Sequence, residues 1–68
     1  MTYTSEEIRA ARFALGLTQA QLAALLGYGD VARVSELERG ERQPGPAVPL
    51  LILAYLDGYR PAGWPENK

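Results

Sequence analysis

Residues 16–40 read GLTQAQLAALLGYGDVARVSELERG, and the punctuation of this stretch decides the fold. Thr18 with Gln21 three residues on is a capping box, in which each side chain satisfies a backbone amide that the helix leaves unpaired. Leu17 and Leu22 flank it as a hydrophobic staple. Leu22, Leu25 and Leu26 form an apolar stripe, small Ala20, Ala23 and Ala24 permit close approach of a second helix, and Gly27 suits the left-handed turn that ends a helix. A second pattern follows, with Asp30 as its cap, Val31, Val34 and Leu37 as its expected buried stripe, and Gly40 as its stop. Helices this short are unstable alone. Each must bury its apolar side against the other and against a third, which leaves the opposite face of the second helix free to dock. The layout is a helix-turn-helix with its core at residues 18–39.

Outward from this core, a first helix is expected over residues 6–15. Thr4 and Glu7 form its capping box, Tyr3 staples to Ile8, and Ile8, Ala11 and Leu15 face inward before Gly16 stops it. After Gly40, a stiff connector carries Pro44, Pro46 and Pro49, since each proline fixes its own backbone angle and biases its predecessor away from helix. A fourth helix starts at Pro46 or Pro49 and ends near Asp57, with Gly58 as its cap. Proline suits a first helical position, but if Pro46 holds it, Pro49 removes an internal hydrogen bond. The aromatic, proline-containing tail after Gly58 is expected to be irregular, so that helix four and tail together span residues 46–68. No internal repeat or low-complexity segment is present.

The 68 residues make one domain, residues 1–68, near the lower size at which a chain buries a self-sufficient core without disulfides or metal. A hydrophobic fraction of 47% argues against disorder, and the absence of cysteine removes disulfides and thiolate zinc sites. The N-terminal residues lack the basic and apolar regions of a signal peptide, and the longest apolar run is too short to span a bilayer. A cytoplasmic protein without membrane contact is expected. Enzyme chemistry finds little material: there is no histidine, no glycine-rich phosphate loop after a strand, and no carboxylate that caps, dipoles and ion pairs leave unexplained. No catalytic residue, metal site, cofactor or small-molecule ligand is expected.

The pieces Gly16-Leu17-Thr18-Gln19, Leu22-Ala23, Gly27, Val34-Ser35-Glu36-Leu37-Glu38-Arg39-Gly40 and Glu41-Arg42-Gln43-Pro44 resemble the Cro/CI-like, or XRE, family of helix-turn-helix proteins. With the flanking helices they cover nearly the whole chain. Between Gly27 and Val34 the chain has one residue more than the family's usual turn, spent on Tyr28, Gly29 and Asp30, which bears on the register of the next helix. The resemblance implies an all-α, lambda-repressor-like domain of four to five helices with an irregular tail. It also implies sequence-specific binding of double-stranded operator DNA. Arg12 and Glu38 are similar to the family's structural ion pair between helix one and the end of helix three. Gln19 matches a glutamine that reaches a phosphate or braces a side chain of the recognition helix. By size the chain resembles the smallest regulators of phages and other mobile elements, which control output through their own concentration and so act as autoregulatory repressors.

Base-contact candidates are the residues near the start of helix three: Val31, Ala32, Arg33, Ser35 and Glu36. Arginine can bond a guanine in bidentate fashion, glutamate can accept from a cytosine amino group, and a small apolar side chain can touch a thymine methyl. Each has a plainer reading, with Val31 in the core, Glu36 paired to Arg33 or Arg39, and Arg33 on a phosphate. Arg39 and Arg42, beside the Gly40 turn, suit phosphate contacts, which position a duplex without reading it. Gln19 and Tyr28 are further phosphate candidates, Tyr28 equally serving as a half-buried cap of the turn. Charge runs against this picture: seven Lys and Arg face eight Asp and Glu, a net charge of -1, whereas duplex affinity draws on cations placed against phosphates. Modest affinity per subunit follows, and with it a need for two subunits.

Residues 50–56, LLILAYL, are apolar all round, wider than one core-facing stripe. Part of this surface packs under the tail or against a second copy. Leu53, Leu56, Tyr59 and Trp64 are the candidates for a homodimer interface, since a two-fold pair sets two recognition helices about one turn of DNA apart on a near-palindromic operator. A different class stays open: a protein-interaction module of antiactivator or antitoxin type that keeps the fold without binding DNA.

Overall fold

The computed structural model describes residues 4–65, which form four helices: α1 (Ser5–Ala14), α2 (Gln19–Leu26), α3 (Val31–Glu38) and α4 (Ala47–Leu56). The architecture is all-α, and among the described residues there is no strand. Local chemistry explains the starts. Thr4 accepts from the Glu7 amide while the Glu7 carboxylate accepts from the Thr4 amide, and Thr18 and Gln21 repeat the arrangement on α2. Asp30 caps α3 by accepting from the Ala32 amide at 2.9 Å. The staple expected from Tyr3 lies outside the described residues.

The stops share one device. At the end of α2 the Gly27 amide donates to Ala24 and the Tyr28 amide reaches back to Ala23, with Gly27 at φ +84°, where a side chain would be strained. The same pair of hydrogen bonds closes α1, α3 and α4. The two prolines before α4 also find a consistent solution. Pro46 is the N-cap, so α4 begins at Ala47 rather than at either proline, and Pro49 falls in the first turn. Amides there have no intrahelical partner, so Pro49 removes no hydrogen bond and the expected conflict does not arise.

The core has two clusters. Ile8, Ala11, Leu37, Val48 and Ile52 join α1, α3 and α4, while Leu17, Leu22, Ala23 and Val34 join α2 to α3. Leu26 and Tyr28 pack against both, so the lengthened turn contributes a ring to the core. Val31 departs from the expected stripe: it is 44% exposed, while Val34 and Leu37 are buried. Val31 opens α3, at about 90° around the helix from the middle of the Val34–Leu37 face, so no neighbouring helix lies over it.

The tail folds back on α4. Trp64 packs against the second cluster and meets the buried Tyr55 ring edge-on, with centroids 5.1 Å apart. Arg60 lies 4.2 Å over the Trp64 ring and donates to the carbonyls of Tyr55 and Tyr59, which satisfies the end of α4. Burial raises the Tyr55 phenol above its ordinary pKa of 10.0, with Tyr59 adding to it.

One polar cluster ties these parts together. Arg12 bonds Glu38 in bidentate fashion, Nε to Oε2 at 2.6 Å and Nη2 to Oε1 at 3.1 Å, and its Nη1 donates to the Leu17 carbonyl at 3.0 Å. Gln19 donates to the same Glu38 Oε1 at 3.0 Å. Both charged side chains are largely removed from water, at 10% and 4% exposure. Losing one partner strands the other. Arg12→Met or Glu38→Leu alone should therefore cost about 3 to 5 kcal/mol, a large part of the roughly 3 to 10 kcal/mol expected for a domain of this size. Thermal or urea unfolding of both single variants and the double variant checks this, the double costing clearly less than the sum. Coupling indistinguishable from zero would show that the two charges act independently.

Candidate nucleic-acid interface

Because Val34 and Leu37 anchor α3 to the core, its helical period turns Ala32, Ser35, Glu36 and Arg39 to the opposite side. Ala32 and Arg39 are exposed, and Ser35 and Glu36 are half-exposed. Val31 and Arg33 flank this surface at the start of the helix, and Arg42 reaches it from the turn beyond Gly40.

The charges on the surface are arranged in pairs. Glu36 Oε1 accepts from Arg42 Nε at 2.9 Å and from Arg33 Nη1 at 3.3 Å. Arg39 bonds Glu41 through two parallel contacts of 3.0 Å each, and its remaining arm bonds the Ser35 hydroxyl. The Arg42 hydrogen bond, aided by Arg33, holds the Glu36 carboxyl below the usual value of 4.5, against a smaller opposing effect of desolvation. Arg39 does the same to Glu41 and is itself raised in return. Three cations thus stand together, each engaged by a carboxylate. Exposed pairs of this kind are individually weak, so the arginines remain exchangeable for other anions.

The residues expected to contact a duplex separate into two sets. Val31, Ala32, Arg33, Ser35, Glu36, Arg39 and Arg42 share one continuous surface. Gln19 and Tyr28 are engaged elsewhere. Gln19 spends an amide hydrogen on Glu38, which ties the start of α2 to the end of α3, and Tyr28 packs half-buried against both core clusters. On α4, Leu53, Leu56 and Tyr59 are exposed together with Leu50, at 67%, while Trp64 is half-buried against its own domain. Two features escaped the reading of sequence. Phe13 stands 61% exposed beside the guanidinium groups of Arg9 and Arg12. Arg60 acts as the clasp on α4, a role its position just past Gly58 would have suggested.

A family model described as helix-turn-helix, HTH_3, matches residues 8–64, which is most of the chain. The chain therefore belongs to this helix-turn-helix family, the Cro/CI-like class of DNA-binding transcription regulators, which is not an enzyme family. No curated protein and no solved structure matches it. Among the described residues no helix is long and apolar enough to cross a membrane, and no cluster of metal-ligating side chains occurs.

The pairing of charges makes an acid-titration prediction. In a carboxyl-detected NMR titration Glu36 should titrate below 4.5, and Arg42→Ala should move its midpoint upward. The depressed folded value means that the pair's contribution is full above the unfolded carboxylate's pKa and lost as pH falls through the folded one. An unchanged Glu36 midpoint in Arg42→Ala would remove Arg42 as the cause.

Proposed function

We propose that this chain is a sequence-specific, double-stranded DNA-binding transcription regulator that acts as an autoregulatory repressor and binds a near-palindromic operator as a homodimer. The observation that carries the reading is the outward face of α3. It is held rigidly by Val34, Leu37 and the Glu38 bonds, and it bears Ala32, Ser35 and Glu36, with Arg33, Arg39 and Arg42 around them. Arg33 and Glu36, with Val31, Ala32 and Ser35, are assigned to base edges, and Arg39 and Arg42 to phosphates. Gln19 acts through Glu38 and Tyr28 through the core. The protein works where its operator is, in the cytoplasm, without cofactor or small-molecule effector.

Dimerisation through α4 draws support from the exposed Leu50, Leu53, Leu56 and Tyr59, which the tail leaves uncovered. A two-fold axis there would place two recognition helices on successive turns of one duplex face. A second reading, a protein-interaction module without DNA binding, is favoured by one specific observation: each arginine around α3 already has a carboxylate partner. Salt-dependent duplex binding separates the two, since a protein-interaction module shows none.

If Arg33 reads a base, Arg33→Ala should weaken specific binding by about 1 to 3 kcal/mol and relax preference at one base pair. Arg39→Ala or Arg42→Ala should instead weaken binding to all sequences and reduce the log–log salt slope by about one. Titrations of duplexes selected from a random library would measure both, and unchanged affinity would remove the residue from the site.

Leu53→Glu, at a position already 37% exposed, should leave a folded monomer. A charge placed at a symmetric interface is introduced twice. Operator affinity should fall by about a hundredfold or more as the second half-site contact is lost. Sedimentation of the unmodified protein as a monomer, both free and on DNA, would sink the dimer.

A further inference from the structure

Glu36 occupies an unusual place for a carboxylate on a surface assigned to meet phosphates. It lies on the outward side of α3, opposite Val34 and Leu37, where a duplex would approach. A single oxygen, Oε1, takes both Arg33 and Arg42, the two cations that bracket the face. Its side chain is 28% exposed and each arginine 47%, so all three remain within reach of a ligand.

We propose that Glu36 is a specificity-determining residue that works by exclusion: it lowers affinity for any duplex that offers its carboxylate no hydrogen-bond donor. The inference rests on the DNA-binding reading above and adds to it the means of rejecting wrong sequences. Two effects compete when a duplex arrives. Releasing Arg33 and Arg42 from Glu36 is cheap, because exposed ion pairs hold weakly. The carboxylate left behind then faces the phosphate field with its partners taken away, and that repulsion is the larger effect. A base pair presenting an amino hydrogen in the major groove, cytosine N4 or adenine N6, would relieve it by donating to Glu36. Random sequence relieves it only by chance. Discrimination then comes from a penalty against the wrong partner as well as from contacts to the right one. Glu41 holds Arg39 from beyond the end of the helix, so no arginine of the face is left to bind phosphate unopposed.

The test is Glu36→Gln, which keeps the shape and removes the charge. Binding to a random-sequence duplex should tighten by about 3- to 10-fold at low salt, and the log–log salt slope should steepen by about one to two as Arg33 and Arg42 become free to take phosphates. The preference for library-selected duplexes over random ones should shrink. Glu6→Gln is the control for net charge, since Glu6 is an exposed carboxylate with no arginine partner among the described residues. It should leave random-duplex affinity near the unmodified value. Glu36→Ala provides a second removal of the charge if the glutamine variant melts early.

Unchanged or weaker random-duplex binding in the Glu36 variants, or an equal gain in Glu6→Gln, would overturn the role of Glu36 while leaving the DNA-binding reading in place. Failure of the unmodified protein and the variants alike to bind any duplex at low salt, with normal melting, would overturn both.

Discussion

The contact on which the recognition unit depends is the one between Arg12 and Glu38. Arg12 projects from α1, and its three bonds end on two other segments: the Glu38 carboxylate at the last residue of α3 and the carbonyl of Leu17 in the link to α2. Gln19, the first residue of α2, completes the set from its own side. One carboxylate thus fixes the start of α2 relative to the end of α3. Buried ion pairs add little net stability compared with a well-packed apolar replacement, and their value is geometric, since only one relative placement of the helices satisfies every donor. Among the described residues no buried side-chain polar atom is left without a partner, as this requires.

That geometry matters because α3 has only eight residues with which to serve two surfaces. Val34 enters one core cluster and Leu37 the other, so the helix is held at two points along its inner side. The outer side is thereby committed to presenting Ala32, Ser35, Glu36 and Arg39 together. A domain with a net charge of -1 still concentrates three arginines around this face, and local placement rather than total charge governs how a duplex meets it. The paired carboxylates temper that concentration, since Glu36 engages Arg33 and Arg42 and Glu41 engages Arg39.

Helix α4 shows how an element apolar all round is divided in a small fold. Val48, Pro49, Ile52 and Tyr55 go to the core, and the tail closes over one edge with Trp64 and Arg60. Leu50, Leu53 and Leu56 stay at the surface. Exposed leucines scattered singly would mean nothing, but these follow one another along the same helix. The proline-containing connector makes the arrangement possible by starting the helix with residues that need no amide partner.

Much of this was legible in the chain because it is written in local chemistry. Thr4 and Glu7, Thr18 and Gln21, and Asp30 name the helix starts, and the glycines name the stops, since capping bonds span only a few residues and require particular side chains. Leu22, Val34 and Leu37 announce their burial by spacing alone. Resemblance to known helix-turn-helix proteins pointed to Arg12 and Glu38, although they are 26 positions apart. Tertiary structure decided what spacing leaves open. Val31 repeats at a core interval yet is exposed, because burial needs a neighbour overhead and the first turn of α3 has none. Tyr28, in the lengthened turn, is half-buried because it packs against both clusters at once. Gln19 turned inward because Glu38 lies within reach. The sharing of one Glu36 oxygen by Arg33 and Arg42 depended on where the chain goes after Gly40, and no local pattern encodes the path of a turn relative to a helix six residues back.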